Sequence, residues 1–185
     1  MPGYNLDERP IKSVKSPHTL NPFSIALPLK SLRVHLIYLV HHAEAVITEV
    51  DPMRPLSARG RATAAHLAFQ ATQRGVCPLY IWHSGKLRAR QTAEAFWKAC
   101  NPFATMTAKR GLQPADSPVW IRDQFQGDIR ELMAVGHMPH LERLLRLMLG
   151  VEVPTEEMLI NFPRNGMVAL HPIGDSWEEQ WRLEV

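Results

Sequence analysis

The sequence predicts a single α/β domain: a three-layer α/β/α sandwich with a mostly parallel sheet and an antiparallel C-terminal hairpin. Three observations carry that expectation. Short runs of β-branched and aliphatic residues alternate with longer helical patterns, the order of a sheet covered on both faces. Three of the short runs end in polar groups, His41-His42, His83-Ser84 and Gly136-His137, and parallel strands deliver their C-terminal ends to the edge where ligands bind. After the last helix, two more strand-like runs are joined through Gly174-Asp175, as in a hairpin.

Taken in order, residues 1–31 are rich in proline and polar groups without a steady period, and are expected to form a partly ordered arm, with Phe23 to Leu29 packing on the body. The domain proper is assigned to residues 32–185. A first strand is expected from about Arg33 to Val40, buried on both faces, followed by the proline-bounded loop Asp51-Pro52-Met53-Arg54-Pro55-Leu56. Ser57 is a helix N-cap for a helix to about Arg74 closed by Gly75, with Ala62, Ala65, Phe69 and Thr72 on its apolar face and arginines on the other. Leu79 to His83 reads as a second strand, Ser84-Gly85 as a turn, and Lys86 to Ala99 as a helix stopped by Asn101-Pro102. A short strand near Ala104 to Thr107, a helix from Ser117 to about Gln126 and a buried strand from Glu131 to Val135 follow. The next helix, after Pro139, turns Leu141, Leu144, Leu145 and Met148 to one side and ends at Gly150. Strands near Gly166 to His171 and Glu178 to Glu184 complete the chain.

Composition narrows the class. The chain has 185 residues, 45% hydrophobic and 21% charged, with a net charge of +3, as in an ordinary globular domain. No apolar run is long enough to span a bilayer, and the first thirty residues lack a compact apolar signal core, so a cytoplasmic location without membrane attachment is expected. No basic tract or aromatic stacking motif points to nucleic acid. Cys77 and Cys100 form no CxxC pair and stand in no Cys/His cluster, so both are expected to be reduced and structural. The five tryptophans, Trp82, Trp97, Trp120, Trp177 and Trp181, read as buried or partly buried packing residues, and Arg59 and Arg61 as a solvated helix face.

Gathering the three strand ends places His42, His137 and Arg88, one turn into its helix, around one pocket with His41. The set lacks the carboxylates of a Mg²⁺ site and the HExxH spacing of a zinc site. Imidazole with guanidinium suits a phosphoryl group: Arg presents a planar fork to its oxygens, and a neutral imidazole is a competent nucleophile at phosphorus. Fixed cationic donors then offset charge spread over the equatorial oxygens.

These segments resemble the histidine phosphatase superfamily (phosphoglycerate mutase-like fold), in particular its small SixA-type phosphohistidine phosphatases, from about Leu36 to the C-terminus. Leu39-Val40-His41-His42-Ala43-Glu44-Ala45 stands where that family has Arg-His-Gly/Ala-Glu/Asp-Ala. Asp51 to Gly60 matches the segment after the first strand, and His83-Ser84-Gly85-Lys86-Leu87-Arg88-Ala89-Arg90-Gln91-Thr92-Ala93-Glu94 the second arginine motif. Val135-Gly136-His137-Met138-Pro139-His140-Leu141 matches the second histidine motif, and Phe162-Pro163-Arg164-Asn165-Gly166 the late loop. Five segments in the same order are specific where any one is weak.

The resemblance implies that His42 is the nucleophile, forming a phosphohistidine that water hydrolyses, and that Arg88 and His137 grip the phosphate. It implies neither a metal nor an organic cofactor. His41, Ser84, Lys86 and Glu44 are the candidate substrate-binding residues, with Ser84 also shaping the turn rather than attacking. Glu44 and Asp51 are candidates for the proton donor. The expected substrate is a phosphorylated histidine on a protein, such as a phosphotransfer domain of a signalling relay, met by a monomer whose pocket carries no long cap. The alternatives are a small phosphate ester, or a phosphate-binding module with weakened catalysis.

One departure matters. His41 stands where the family has an arginine. Arginine is always charged and binds bidentately, whereas histidine is largely neutral near pH 7. Phosphate nearby would favour its protonation, so a slower enzyme with an acid-shifted optimum is expected, and His41→Arg is expected to raise turnover. Lys86, Arg90 and Arg54 are candidates for replacing the charge. His83 and His140, beside the motifs, are expected to be hydrogen-bonded structural residues, and Asn165 and Gly166 either border the site or form a plain turn.

Overall fold

A computed structural model describes residues 35–126, 131–151 and 161–185. The arm expected at residues 1–31, with its packing of Phe23 to Leu29, and the boundary at residue 32 lie outside the described residues. Ten elements follow one another: β1 (Ile37–His41), α1 (Ala58–Gln73), β2 (Tyr80–His83), α2 (Leu87–Cys100), β3 (Thr105–Ala108), α3 (Pro118–Gln126), β4 (Leu132–Gly136), α4 (His140–Met148), β5 (Met167–Ile173) and β6 (Ser176–Leu183).

The strands form one sheet in the order β3-β2-β4-β1-β5-β6. β1, β2, β3 and β4 run parallel, while β5 runs antiparallel to β1 and turns back into β6. The central strands are apolar at nearly every position because both faces are covered. On β1, Ile37 and Leu39 join Leu132 and Ala134 against α3 and α4, among Ile121, Phe125, Leu141 and Leu144. Tyr38 and Val40 join Met133 and Val135 against α1 and α2, among Leu67, Ala68, Ala93 and Phe96. This is the three-layer sandwich the alternating pattern predicts. Truncating a fully buried side chain such as Phe96 to alanine costs about 3–5 kcal/mol in a core of this kind.

Helix boundaries follow their chemical signals. The Ser57 hydroxyl accepts the Gly60 N–H at 2.9 Å and starts α1, while Asn101 ends α2. On α4, Leu141, Leu144, Leu145 and Met148 are all buried, as their spacing requires. α1 corrects the sequence reading, because its buried face is Gly60, Ala64, Leu67, Ala68 and Ala71. Ala62, Ala65 and Phe69 face solvent and Thr72 is half-buried. Alanines occupy both sides of this helix, so its apolar stripe was ambiguous by about one residue, and the arginines at 59 and 61 fit either choice. Gly60 settles the orientation: a Cβ there would lie 1.9 Å from the Glu44 carbonyl oxygen, so α1 enters flush against the loop after β1.

Trp120 is a second correction, since 61% of it is exposed, whereas Trp82 and Trp177 are buried and Trp97 and Trp181 half-buried. Cys77 and Cys100 are free thiols, and burial pushes the Cys100 thiol up to about 12. Among the described residues no helix is long and apolar enough to cross a membrane.

Candidate active site

The sheet register assembles the site. His41 pairs with Gly136 across β1 and β4, and His83 pairs with Val135 across β2 and β4. The next residues, His42, Ser84 and His137, therefore emerge together at the C-terminal edge, and the His42 and His137 ring centroids are 4.8 Å apart. Gly85, at φ +86°, reverses the chain there so that α2 begins beside the pocket and brings Arg88 to it.

His42 is oriented by two bonds on opposite ring edges. Its Nδ1 lies 2.7 Å from the Ala43 carbonyl oxygen, which can only accept, so Nδ1 carries the proton. Nε2 is then the lone-pair nitrogen, and it accepts from the Arg88 Nε–H at 3.1 Å. Burial, with Arg88 and Arg54 nearby, pushes the His42 pKa down to about 4 despite the opposing effect of the Ala43 carbonyl. The ring is a neutral base whose unprotonated Nε2 faces a cation and is released for attack when that N–H turns to the phosphate. Thr92 ties this arrangement together. Its Oγ1 accepts the Ala43 N–H at 3.1 Å and donates to the Arg88 carbonyl at 2.8 Å, locking the strand end to the first turn of α2.

His137 is buried and its Nε2 is 2.6 Å from the Ser84 hydroxyl. Burial first, then His42 and the cationic Arg88 and Lys86, lower its pKa to about 2. The Gln113 side-chain amide donates to the Ser84 carbonyl and steadies the turn from the other side. Arg88 is the half-buried cation of the group, its own pKa lowered by desolvation and by Arg54.

His41 is held in the opposite sense. Its Nδ1 accepts the backbone N–H of Asn165 at 3.1 Å, and its backbone N–H donates to the Gly166 carbonyl at 3.0 Å. Burial, His42, Arg164 and Arg88 push its pKa down to about 3. Without phosphate His41 is a neutral ring, because an N–H donor occupies Nδ1 and the surrounding groups are cationic. Asn165 borders the site in the left-handed region at φ +50° rather than forming a turn apart from it.

Glu44 lines a cavity of about 300 Å³ with His41, His42, Met138, Arg164 and Asn165, and its Oε1 accepts the Ser57 hydroxyl at 2.6 Å. Asp51 is turned instead to its own loop, accepting the Met53 N–H at 2.8 Å. Arg54 reaches the site only electrostatically, its Nε donating to the Val46 carbonyl at 3.2 Å. Arg90 does not join the site, since it pairs with Glu94 at 2.9 Å one turn along α2. His83 is buried, with Nδ1 accepting the Gly85 N–H at 3.1 Å. His140 departs from expectation: it is fully buried, yet among the described residues neither ring nitrogen has a hydrogen-bond partner.

The residues that sequence reasoning missed are Thr92, Gln113 and Arg164. Thr92 was legible in principle, four residues after Arg88 and so on the same helix face. Gln113 and Arg164 arrive from distant loops and leave no spacing signal. Among the described residues no group of three or more His, Cys, Asp and Glu is placed to hold a metal ion. The arrangement is suited to an oxyanion with a nucleophile beneath it.

No family model and no curated protein sequence matches the chain. Solved structures do. A SixA protein from Agrobacterium tumefaciens is 25% identical with a TM-score of 0.69, the match covering 82% of this chain and 99% of that one. A protein histidine phosphatase SixA complexed with tungstate is 17% identical at a TM-score of 0.68, over 80% of this chain and 96% of that one. A mycobacterial glucosyl-3-phosphoglycerate phosphatase complexed with VO3 is 14% identical at a TM-score of 0.64, over 82% of this chain and all of the other, 100%. With the sheet order, the register of the strand ends and these likenesses on the page, the chain has the fold of the histidine phosphatase superfamily and is similar to its SixA phosphatases.

Proposed function

We propose that the protein is a phosphatase that works through a phosphohistidine on His42, without a metal or organic cofactor, and that it removes phosphate from a histidine on a protein. The observation that carries this reading is the fixed tautomer of His42: with Nδ1–H committed to the Ala43 carbonyl, Nε2 presents a lone pair beside the Arg88 guanidinium. Nε2 attacks phosphorus, the new N–P bond forms and the bond to the leaving group breaks. Arg88 offsets the charge on the equatorial oxygens, with the hydrogen-bonded Ser84–His137 pair beside it.

The leaving imidazole nitrogen takes a proton, for which Glu44 is the carboxyl group lining the cavity. Water then attacks the phosphohistidine, the N–P bond breaks to release inorganic phosphate, and the proton of the water passes back to the same carboxylate. Lys86 adds positive potential on the His137 side. The assignment to a phosphorylated histidine on a protein is supported by the likeness to SixA proteins, one of them a protein histidine phosphatase.

Rapid quench of the enzyme with a ³²P-phosphohistidine protein tests the chemistry. The expected result is a transient, acid-labile phosphoenzyme that is missing in His42→Ala. A parallel panel of sugar phosphates and nucleotides tests the substrate, and turnover of the small esters alone would transfer the assignment to a small-molecule phosphomonoesterase. The neutral His41 gives specific support to a second reading, a phosphate-binding module, which predicts phosphate binding with no phosphoenzyme trapped.

A further inference from the structure

The superfamily signature has an arginine where this chain has His41, and that position is here uncharged and committed. Nδ1 of His41 accepts the Asn165 N–H, and the backbone N–H of His41 donates to the Gly166 carbonyl at 3.0 Å, so the strand end and the loop before β5 are clipped together once by the side chain and once by the backbone. The clipped loop carries a guanidinium. Arg164 precedes Asn165 and lines the same cavity as His41, His42 and Glu44.

Its conformation is set by its neighbours. Asn165 is held at φ +50°, and a Cβ on Gly166 would lie 2.4 Å from the Leu183 carbonyl and 2.7 Å from Pro163. The loop backbone is therefore seated against β6 and cannot shift without displacing it. Among the described residues Arg164 has no hydrogen-bond or ion-pair partner, whereas Arg90, Arg122, Arg146 and Arg182 each hold a carboxylate. Arg164 also borders a neighbouring cavity with Glu142 and Glu184, but Glu142 is already bound by Arg146 at 2.6 Å. Its field reaches the site, since it ranks ahead of Arg88 among the groups that depress the His41 ring.

We propose that Arg164, from the loop before β5, supplies the second guanidinium of the phosphate pocket beside Arg88, and that His41 is a positioning residue that fastens the loop bearing it. The charge lost from the end of β1 has moved to a loop that β1 itself holds in place. The inference rests on the phosphatase reading for its substrate, but its binding arm needs only an oxyanion.

The experiment uses the full chain in four forms: wild type, Arg164→Gln, His41→Arg and the double variant. Tungstate affinity is measured by calorimetry, and kcat/KM with a phosphohistidine protein. Arg164→Gln is expected to weaken tungstate and lower kcat/KM by about 10- to 100-fold, the worth of one charge-assisted contact. Arg164→Lys is expected to recover part of the affinity, as a point charge without the fork. In the His41→Arg background the Arg164→Gln loss is expected to shrink to within about threefold, because the guanidinium has been returned to β1. Unchanged affinity in Arg164→Gln would overturn the proposal. So would a loss of equal size in both backgrounds, which marks a merely structural role. Wild type that binds tungstate but traps no phosphoenzyme and hydrolyses no phosphoester overturns the proposed function, with the affinity cycle still deciding Arg164. Wild type that binds no oxyanion overturns both.

Discussion

His41 and His42 are consecutive, their ring centroids only 4.7 Å apart, and both are desolvated, yet the structure gives them opposite tautomers. A carbonyl at Nδ1 makes His42 an acceptor at Nε2; an amide N–H at Nδ1 makes His41 a donor at Nε2. Only the first can attack phosphorus. The comparison shows that backbone partners, rather than the identity of the residue, divide the roles at the end of β1. The half of the pocket facing α2 gathers His42, Arg88, Ser84 and His137, and the half facing the loop before β5 is built around the neutral His41 ring.

The sharpest way to break the comparison is to remove the attacking ring. His42→Ala is expected to abolish the phosphoenzyme and to lower kcat by at least ~10⁴, the scale on which a nucleophile is lost. Arg88→Ala comes next. It removes the cation at the His42 lone pair and is expected to lower kcat/KM by ~10²–10³, with the fold intact by circular dichroism.

The pH profile then separates the two rings. Attack needs the neutral form of His42, whose pKa is lowered to about 4, so the base is fully present above about pH 5 and is lost as pH falls through about 4. Corrected for ionisation of the substrate, kcat/KM is expected to be level from about pH 7 down to 5, whereas a free imidazole with a pKa of about 6.5 would lose most of its base over that span. A midpoint near 6.5 would show that the ring is not desolvated in this way. An acid-shifted optimum would instead point to protonation of His41 beside the bound phosphate. The smallest effect is that of Arg90→Gln. Its guanidinium is engaged with Glu94 on the surface, so kcat/KM is expected to stay unchanged and stability to move by less than ~1 kcal/mol in a urea titration.

Much of the scaffold was legible because its signals are local. Ser57 as a cap, Gly85 and Gly150 at positive φ, and the Leu141, Leu144, Leu145 and Met148 stripe each act over one or two helical turns, and each element stands within a few residues of its expected place. The misreadings have local causes as well. α1 carries alanine on both faces, so its weak stripe did not say which side is buried, and Trp120 is apolar in composition but exposed in position. His140 was expected to be hydrogen-bonded because buried imidazoles usually are, and burial alone fails to guarantee a partner.

The sequence by itself determined the alternation of strands and helices, the three polar strand ends, and the identity of the imidazoles and guanidinium that meet there. The tertiary structure alone decided the protonation geometry and the second cation. Which nitrogen of His42 is free depends on the path of the backbone at Ala43 and on Arg88, 46 residues away. The His41 tautomer depends on an amide 124 residues away, and Arg164 reaches the cavity only because β5 pairs antiparallel beside β1. Periodicity and capping are properties of neighbouring residues along the chain, whereas a hydrogen bond between distant segments exists only once the sheet has closed and brought them within 3 Å or so.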